Sequence, residues 1–253
     1  MNKEKLFYID QVINNEFTKV KIQLNIGGTG VAGFLSRFAE VFGIGSGGIA
    51  NSVTVEGFLI DDTIPLDSSA NWADLNDDSI SEFIGGGSLK DKLARVAGAA
   101  TGVSGRLVAF TQGFWTETEK PQFDIGLLFL NTDTNNALSR PEAKASLLSS
   151  CCYPNFLGPL MESPMGYIPA NAMLEQLTEY QYQPGQSSSI TGTCNLSIGK
   201  WLHVPSLLLK NASFEYSKEC APNGSPLYAS GKVLFETSRI VSANEYAQWF
   251  IAK

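Results

Sequence analysis

The sequence predicts an α+β protein built on an antiparallel β-sandwich or half-barrel with inserted helices. Three stretches carry that expectation. Residues 17–26 alternate, with Val20, Ile22, Leu24 and Ile26 apolar and Lys19, Lys21, Gln23 and Asn25 polar, the pattern of a half-buried strand. Residues 123–130 place Ile125, Leu127, Leu128, Phe129 and Leu130 in a nearly unbroken apolar run, as in a buried strand. Residues 206–216 and 227–237 are β-prone runs separated by a polar segment with Pro222, Asn223, Gly224 and Pro226, which reads as a long closing hairpin. In that hairpin Leu207, Leu209, Phe214, Val233 and Phe235 are assigned to the core, and Lys232 and Glu236 to the opposite face. Pro226 is tolerable only at an edge or at a strand's first position.

The other elements follow in order. A glycine-rich stretch, 27–48, encloses Phe34, Phe38, Val41 and Phe42 at the spacing of one helical stripe. Residues 52–60 are a second strand. Residues 61–78 read as acidic loop, with Trp72 its one large apolar residue. Residues 79–105 read as an insertion: Gly85, Gly86 and Gly87 precede Leu89, Leu93, Val96, Ala97 and Ala100 at helical spacing. Residues 106–110 are a further strand. Ser139 and Glu142 have the spacing of a capping box, opening a helix with Ala143, Leu147, Leu148 and Cys151 on one face, ended by Pro154. Residues 154–189 carry five prolines and read as loop. Ser242 is placed to N-cap a short helix bearing Tyr246, Trp249 and Phe250.

The 253 residues suffice for one large domain, taken as 1–253 with the insertion at about 79–105. Apolar residues make up 43% and charged residues 17%, which places the chain among folded proteins. A net charge of −7 argues against a general nucleic-acid binder, which needs a basic face. Cys151, Cys152, Cys194 and Cys220 lack metal-ligand spacing and read as reduced thiols of a reducing compartment. No secretory signal and no apolar run of about 20 residues is visible, so no membrane span is expected.

Gly28, Gly30 and Gly33 form a G-x-G-x-x-G after a strand and before a helix. Glu56, on the next strand, stands where a ribose-binding acid would. Such glycines let backbone N–H groups approach a pyrophosphate at a helix N-terminus. This is the alternative reading, a dinucleotide-binding enzyme. Against it, no further βαβ unit follows. Asp61, Asp62, Asp74, Asp77 and Asp78 cluster without the central glycine of a calcium loop. His203 is the one histidine, which leaves little for acid–base or zinc chemistry, and no nucleophile elbow is present. No catalytic, cofactor-binding or metal-binding residues are expected.

The last fifth of the chain also carries a family resemblance. Val204-Pro-Ser-Leu207, the strand ending Phe214-Glu-Tyr216, the segment Pro222-Asn-Gly-Ser-Pro-Leu-Tyr-Ala229 and then Phe235-Glu-Thr237 resemble the closing hairpin of phage tail-tube and baseplate-hub proteins. These include the tail-tube initiators of contractile tails. Residues 64–73, with Ser68, Ser69 and Trp72, and residues 113–130 are similar to preceding segments of that family. The resemblance covers roughly half the chain, discontinuously. It leaves out the first 50 residues and 79–105. It implies a tail-tube type fold and a non-enzymatic structural subunit of the virion, assembled in the host cytoplasm. The subunit would close a ring, a hexamer in that family, with other tail-tube and baseplate proteins as neighbours. DNA would pass the bore without specific binding, and an acidic surface suits that passage. A tube or hub subunit of a phage-like injection system, which shares the fold, is a further alternative. In this setting residues 79–105 are expected to contact a neighbouring subunit or another tail protein rather than their own core.

Overall fold

The computed structural model describes residues 19–27, 52–61, 63–74, 113–131, 139–157, 159–170 and 187–250. In chain order its elements are β1 (Lys19–Asn25), β2 (Ser52–Leu59), β3 (Ala70–Asp74), β4 (Gly113–Thr118), β5 (Gln122–Leu130), helix α1 (Pro141–Ser150), β6 (Asn155–Leu157), β7 (Leu160–Glu162), β8 (Cys194–Ile198), β9 (Leu202–Tyr216), β10 (Tyr228–Thr237) and helix α2 (Ala243–Gln248). Two compact units divide the chain: Met1–Asp67 with Lys120–Lys253, and Ser68–Glu119. The expected insertion at 79–105, the strand at 106–110 and the helical stripe at 34–42 lie outside the described residues.

The first unit is a closed six-stranded barrel in the order β1-β2-β5-β10-β9-β8, antiparallel at every pairing. Closure removes the exposed sheet edges that invite aggregation. The expected sandwich or half-barrel is thus realised as a closed barrel, because β1 pairs with β2 on one side and with β8 on the other.

Period-2 alternation puts one face of every strand inside. Val20, Ile22 and Leu24 meet Leu196 and Val204 there, and Phe123, Ile125, Leu127 and Phe129 meet Val233 and Phe235; all are buried in one core. α1 packs against β5, β9 and β10 and adds Ala143, Leu147 and Leu148 to the same core. At the far end of β5, the Trp249 ring lies 5.6 Å from that of Phe123.

The closing hairpin extends further than its predicted first strand, with β9 running 15 residues. Two irregularities let so long a strand bend. One falls where β8 meets β9, between Val204 and Leu207, where Ser206 has φ 56 and Pro205 has no N–H to leave unpaired. The other skips Lys210, between the Leu234–Asn211 and Phe235–Leu209 pairs. Leu207, Leu209, Val233 and Phe235 are buried as expected, while Phe214 is half-buried, its ring 5.4 Å from Phe129. Gly231 faces Phe214 across the ladder, and a Cβ there would run into the Ser213 carbonyl.

Two local expectations are corrected. Ser139 does not cap α1; Arg140 is the N-cap without a side-chain bond, Pro141 opens the helix, and Glu142 instead accepts from Ser225 Oγ at 2.7 Å. A proline at the first helical position needs no cap acceptor for its own nitrogen, so the box is less needed. The acidic loop at 61–78 contains strand β3, which pairs with β4 in the second unit. At the C-terminus the expected cap is present: Ser242 Oγ accepts from Glu245 N and Glu245 Oε2 accepts from Ser242 N.

Candidate functional site

The nucleotide candidate separates into parts. Gly28, Gly30 and Gly33 lie outside the described residues. Glu56 points outward from β2 and pairs with Lys21 Nζ at 2.8 Å, with 60% of its side chain exposed. That Lys21 hydrogen bond is the main reason its pKa is lowered, against a smaller opposing effect of burial. More important is the strand direction. β1 and β2 are antiparallel neighbours, with Lys21 opposite Glu56. The dinucleotide fingerprint works in a parallel βαβ unit, where the glycine turn and the acid reach the same ligand from the same strand ends.

The other polar candidates hold structure together. Asp61 accepts from Gly126 N at 2.6 Å just where β2 stops pairing with β5, so its carboxylate continues a ladder that has only two residue pairs. Lys144 reaches from α1 to the Glu56 carbonyl at 2.9 Å and lies 5.8 Å over the Phe129 ring. Burial depresses its pKa, and the Glu56 charge partly offsets this. His203 is buried; its Nδ1 and Ser197 Oγ are 2.8 Å apart, and its backbone N–H donates to the Trp249 carbonyl. It ties β9 to the segment after α2. All four cysteines are free thiols. Burial, with the neighbouring Cys152, pushes Cys151 up to about 12, and burial raises Cys194 further. Neither is a thiolate nucleophile near neutral pH. Among the described residues no group of three or more His, Cys, Asp or Glu could hold a metal ion.

Surface features remain. On the outer face of the closing hairpin, Lys232 pairs with Asp124 at 3.8 Å and Lys210 with Glu236 at 3.4 Å. Glu236 also accepts from Gln122, and only 15% of its side chain is exposed, so it is less free than the sequence suggested.

Sequence reasoning missed the β6–β7 ribbon, inside the stretch read as loop. Phe156 and Met161 sit opposite each other on one face and are 72% and 70% exposed. Leu160, on the other face, is 69% exposed, and Tyr153 beside the ribbon equally so. A lone two-stranded ribbon is marginal in water, and one bare on both faces is more so. The signal was present in the apolar residues Phe156, Leu157, Leu160 and Met161 on either side of Gly158-Pro159, a turn dipeptide. The ribbon is anchored to the barrel just beyond it. Gly27 N donates to the Met165 carbonyl, and Gly192, at φ 83, passes so close to Tyr167 that no side chain would fit.

The sequence matches no protein-family model and has no significant match among curated proteins. Among the described residues no helix is long and apolar enough to cross a membrane. Among the described residues, the first unit is a closed antiparallel barrel with two α-helices and a bare apolar ribbon.

Proposed function

We propose that this chain is a structural subunit of a phage tail, forming a ring at the baseplate hub or the base of the tail tube, through which DNA passes. The observation that carries the reading is the closing hairpin. The residues of the last fifth of the chain that resemble the tail-tube and hub family fall on β9, β10 and the turn between them, and Val204-Pro-Ser-Leu207 coincides with the first β9 irregularity. Packed side chains fill the barrel, so the bore lies between copies rather than inside one subunit. The net charge of −7 favours a surface past which DNA slides. The antiparallel β1–β2 pair weighs against the dinucleotide-binding alternative.

The test is particle mass in solution together with negative-stain imaging. Rings of uniform size, six-fold in the family reading, are expected. A compact monomer or dimer that binds NAD, FAD or ATP at micromolar concentration, with binding lost in Gly30→Val, would overturn the proposal in favour of the enzyme.

A further inference from the structure

The β6–β7 ribbon is held by fixed turns on both sides. Before it, α1 ends in tight turns: Cys152 N donates to the Ser149 carbonyl and Tyr153 N to the Ser150 carbonyl, while Cys151 sits in the core. After it, Gly166 N donates to the Ser163 carbonyl, Tyr167 N to the Pro164 carbonyl, and Met165 is buried. Between these legs Asn155 pairs with Glu162 at the base and Leu157 with Leu160 at the tip. The apolar end is therefore preformed in the single chain.

Its chemistry is uniform. No Asp, Glu, Lys or Arg occurs from Ala145 to Met161, and Glu162 at the base is the first charge. Phe156, Leu160 and Met161 lie toward the tip, and exposed Tyr153 lies just before the base. An apolar tip backed by an amphipathic ring is the order in which interfacial segments meet lipid.

Both faces of the ribbon are bare, Phe156 and Met161 on one and Leu160 on the other. A flat protein partner covers one face only. Phe156 and Met161 together offer it roughly 250–300 Å², about a third of the ~800 Å² that each partner buries in a stable interface. A fluid lipid surface instead surrounds both faces at once. The three residues of each strand reach about 10 Å, the depth to which interfacial segments enter the boundary between headgroups and acyl chains. The outer edges of a two-stranded ribbon keep unpaired backbone N–H and C=O groups, which the hydrocarbon core does not tolerate, so the ribbon stops at that boundary. A net charge of −7 gives no attraction to anionic headgroups.

We propose that the β6–β7 ribbon seats in the surface of a zwitterionic lipid bilayer, with Phe156, Leu160 and Met161 among the upper acyl chains and Tyr153 at headgroup level. The barrel stays outside the bilayer. The contact goes beyond the tail reading and does not depend on ring formation.

The experiment is flotation of the full chain with vesicles of phosphatidylcholine, and of phosphatidylcholine mixed with phosphatidylglycerol. Two variants run beside it: Phe156→Ser/Met161→Ser, and the control Trp201→Ser, which removes a partly exposed ring stacked on Phe250. Each is first checked by circular dichroism and melting. The wild-type chain and Trp201→Ser are expected to float with phosphatidylcholine vesicles at low and high salt alike, and the ribbon variant to partition roughly tenfold less or weaker. Phe156→Trp is expected to show quenching by brominated phosphatidylcholine beyond that of the native tryptophans, and this readout decides the matter if the serine variant melts early. No flotation of the wild-type chain, undiminished flotation of a folded ribbon variant, binding confined to anionic vesicles and lost in salt, or no added quenching overturns the inference. Ribbon-dependent self-association without lipid, read by sedimentation velocity, overturns it in favour of a protein cover. Rings without flotation overturn it while sparing the tail reading. Flotation without rings upholds it and counts against the tail reading.

Discussion

Truncating Phe235 tests the register on which the barrel rests. Its side chain is fully buried, between Phe123 on β5 and Leu209 on β9. Burial of such a ring contributes about 1.5–3 kcal/mol, and Phe235→Ala adds the cost of the cavity left behind, for a total of roughly 3–5 kcal/mol. For a chain of this size that lowers the melting temperature by about 6–20 °C. The matched control is Lys232→Glu, three residues away on the outer face. It breaks only a 3.8 Å exposed pair with Asp124 and sets two acids side by side, which costs about 1 kcal/mol or less. Urea unfolding of both variants, with the slope checked for constancy, gives the two numbers. Phe235→Ala costing less than Lys232→Glu would refute the in–out assignment of β10, and with it the hairpin argument behind the tail reading.

Three further outcomes are expected. Gly231→Ala drives a methyl against the Ser213 carbonyl and should destabilise by about 1–3 kcal/mol in the same urea assay, although glycine-to-alanine changes in open strands stabilise. Burial of Glu245 acts to raise its pKa, but bonds from Arg239 and Ser242 outweigh it, and the net shift is downward. Its stabilisation is therefore present above the ordinary carboxylate range and is lost as pH falls toward the lowered folded value; Glu245→Gln should flatten acid denaturation below about pH 4. A thiol reagent added to native protein at neutral pH should label exposed Cys220 readily and leave Cys151 and Cys194 unlabelled until denaturant is added; equal labelling of all four would contradict the packing of α1 against the barrel.

Legibility in the sequence followed the strength of the local pattern. β1, β5 and the closing hairpin were readable because alternation or an apolar run survives along each. The Ser242 cap was readable because a serine stands just before the short run bearing Tyr246, Trp249 and Phe250; its box partner Glu245 came only with the structure. At α1 the spacing of a capping box misled, since Pro141 opens the helix and distant Ser225 claims Glu142. β3 was hidden by its polar neighbours: an acidic stretch resembles solvent-exposed loop until its partner, β4, is known. Barrel closure was not readable at all, because the β1–β8 pairing joins segments far apart in sequence and leaves no local trace. Of the candidate surface, the ribbon's apolar residues were visible, but three prolines around them argued for loop.

Closure of β1 on β8 also sets a schedule for the nascent chain. β1 ends at Asn25 and its second partner begins at Cys194. At ribosomal speeds of about 5–20 residues per second, roughly ten to thirty seconds pass between their syntheses. Throughout that interval Val20, Ile22 and Leu24 have only part of the surface that will cover them. The N-terminal strand pair therefore waits, apolar face unburied, for the last quarter of the protein to emerge. A chaperone that shields a short alternating strand would act on this chain before residue 194 is made, and would have nothing left to hold once β8, β9 and β10 have closed the barrel.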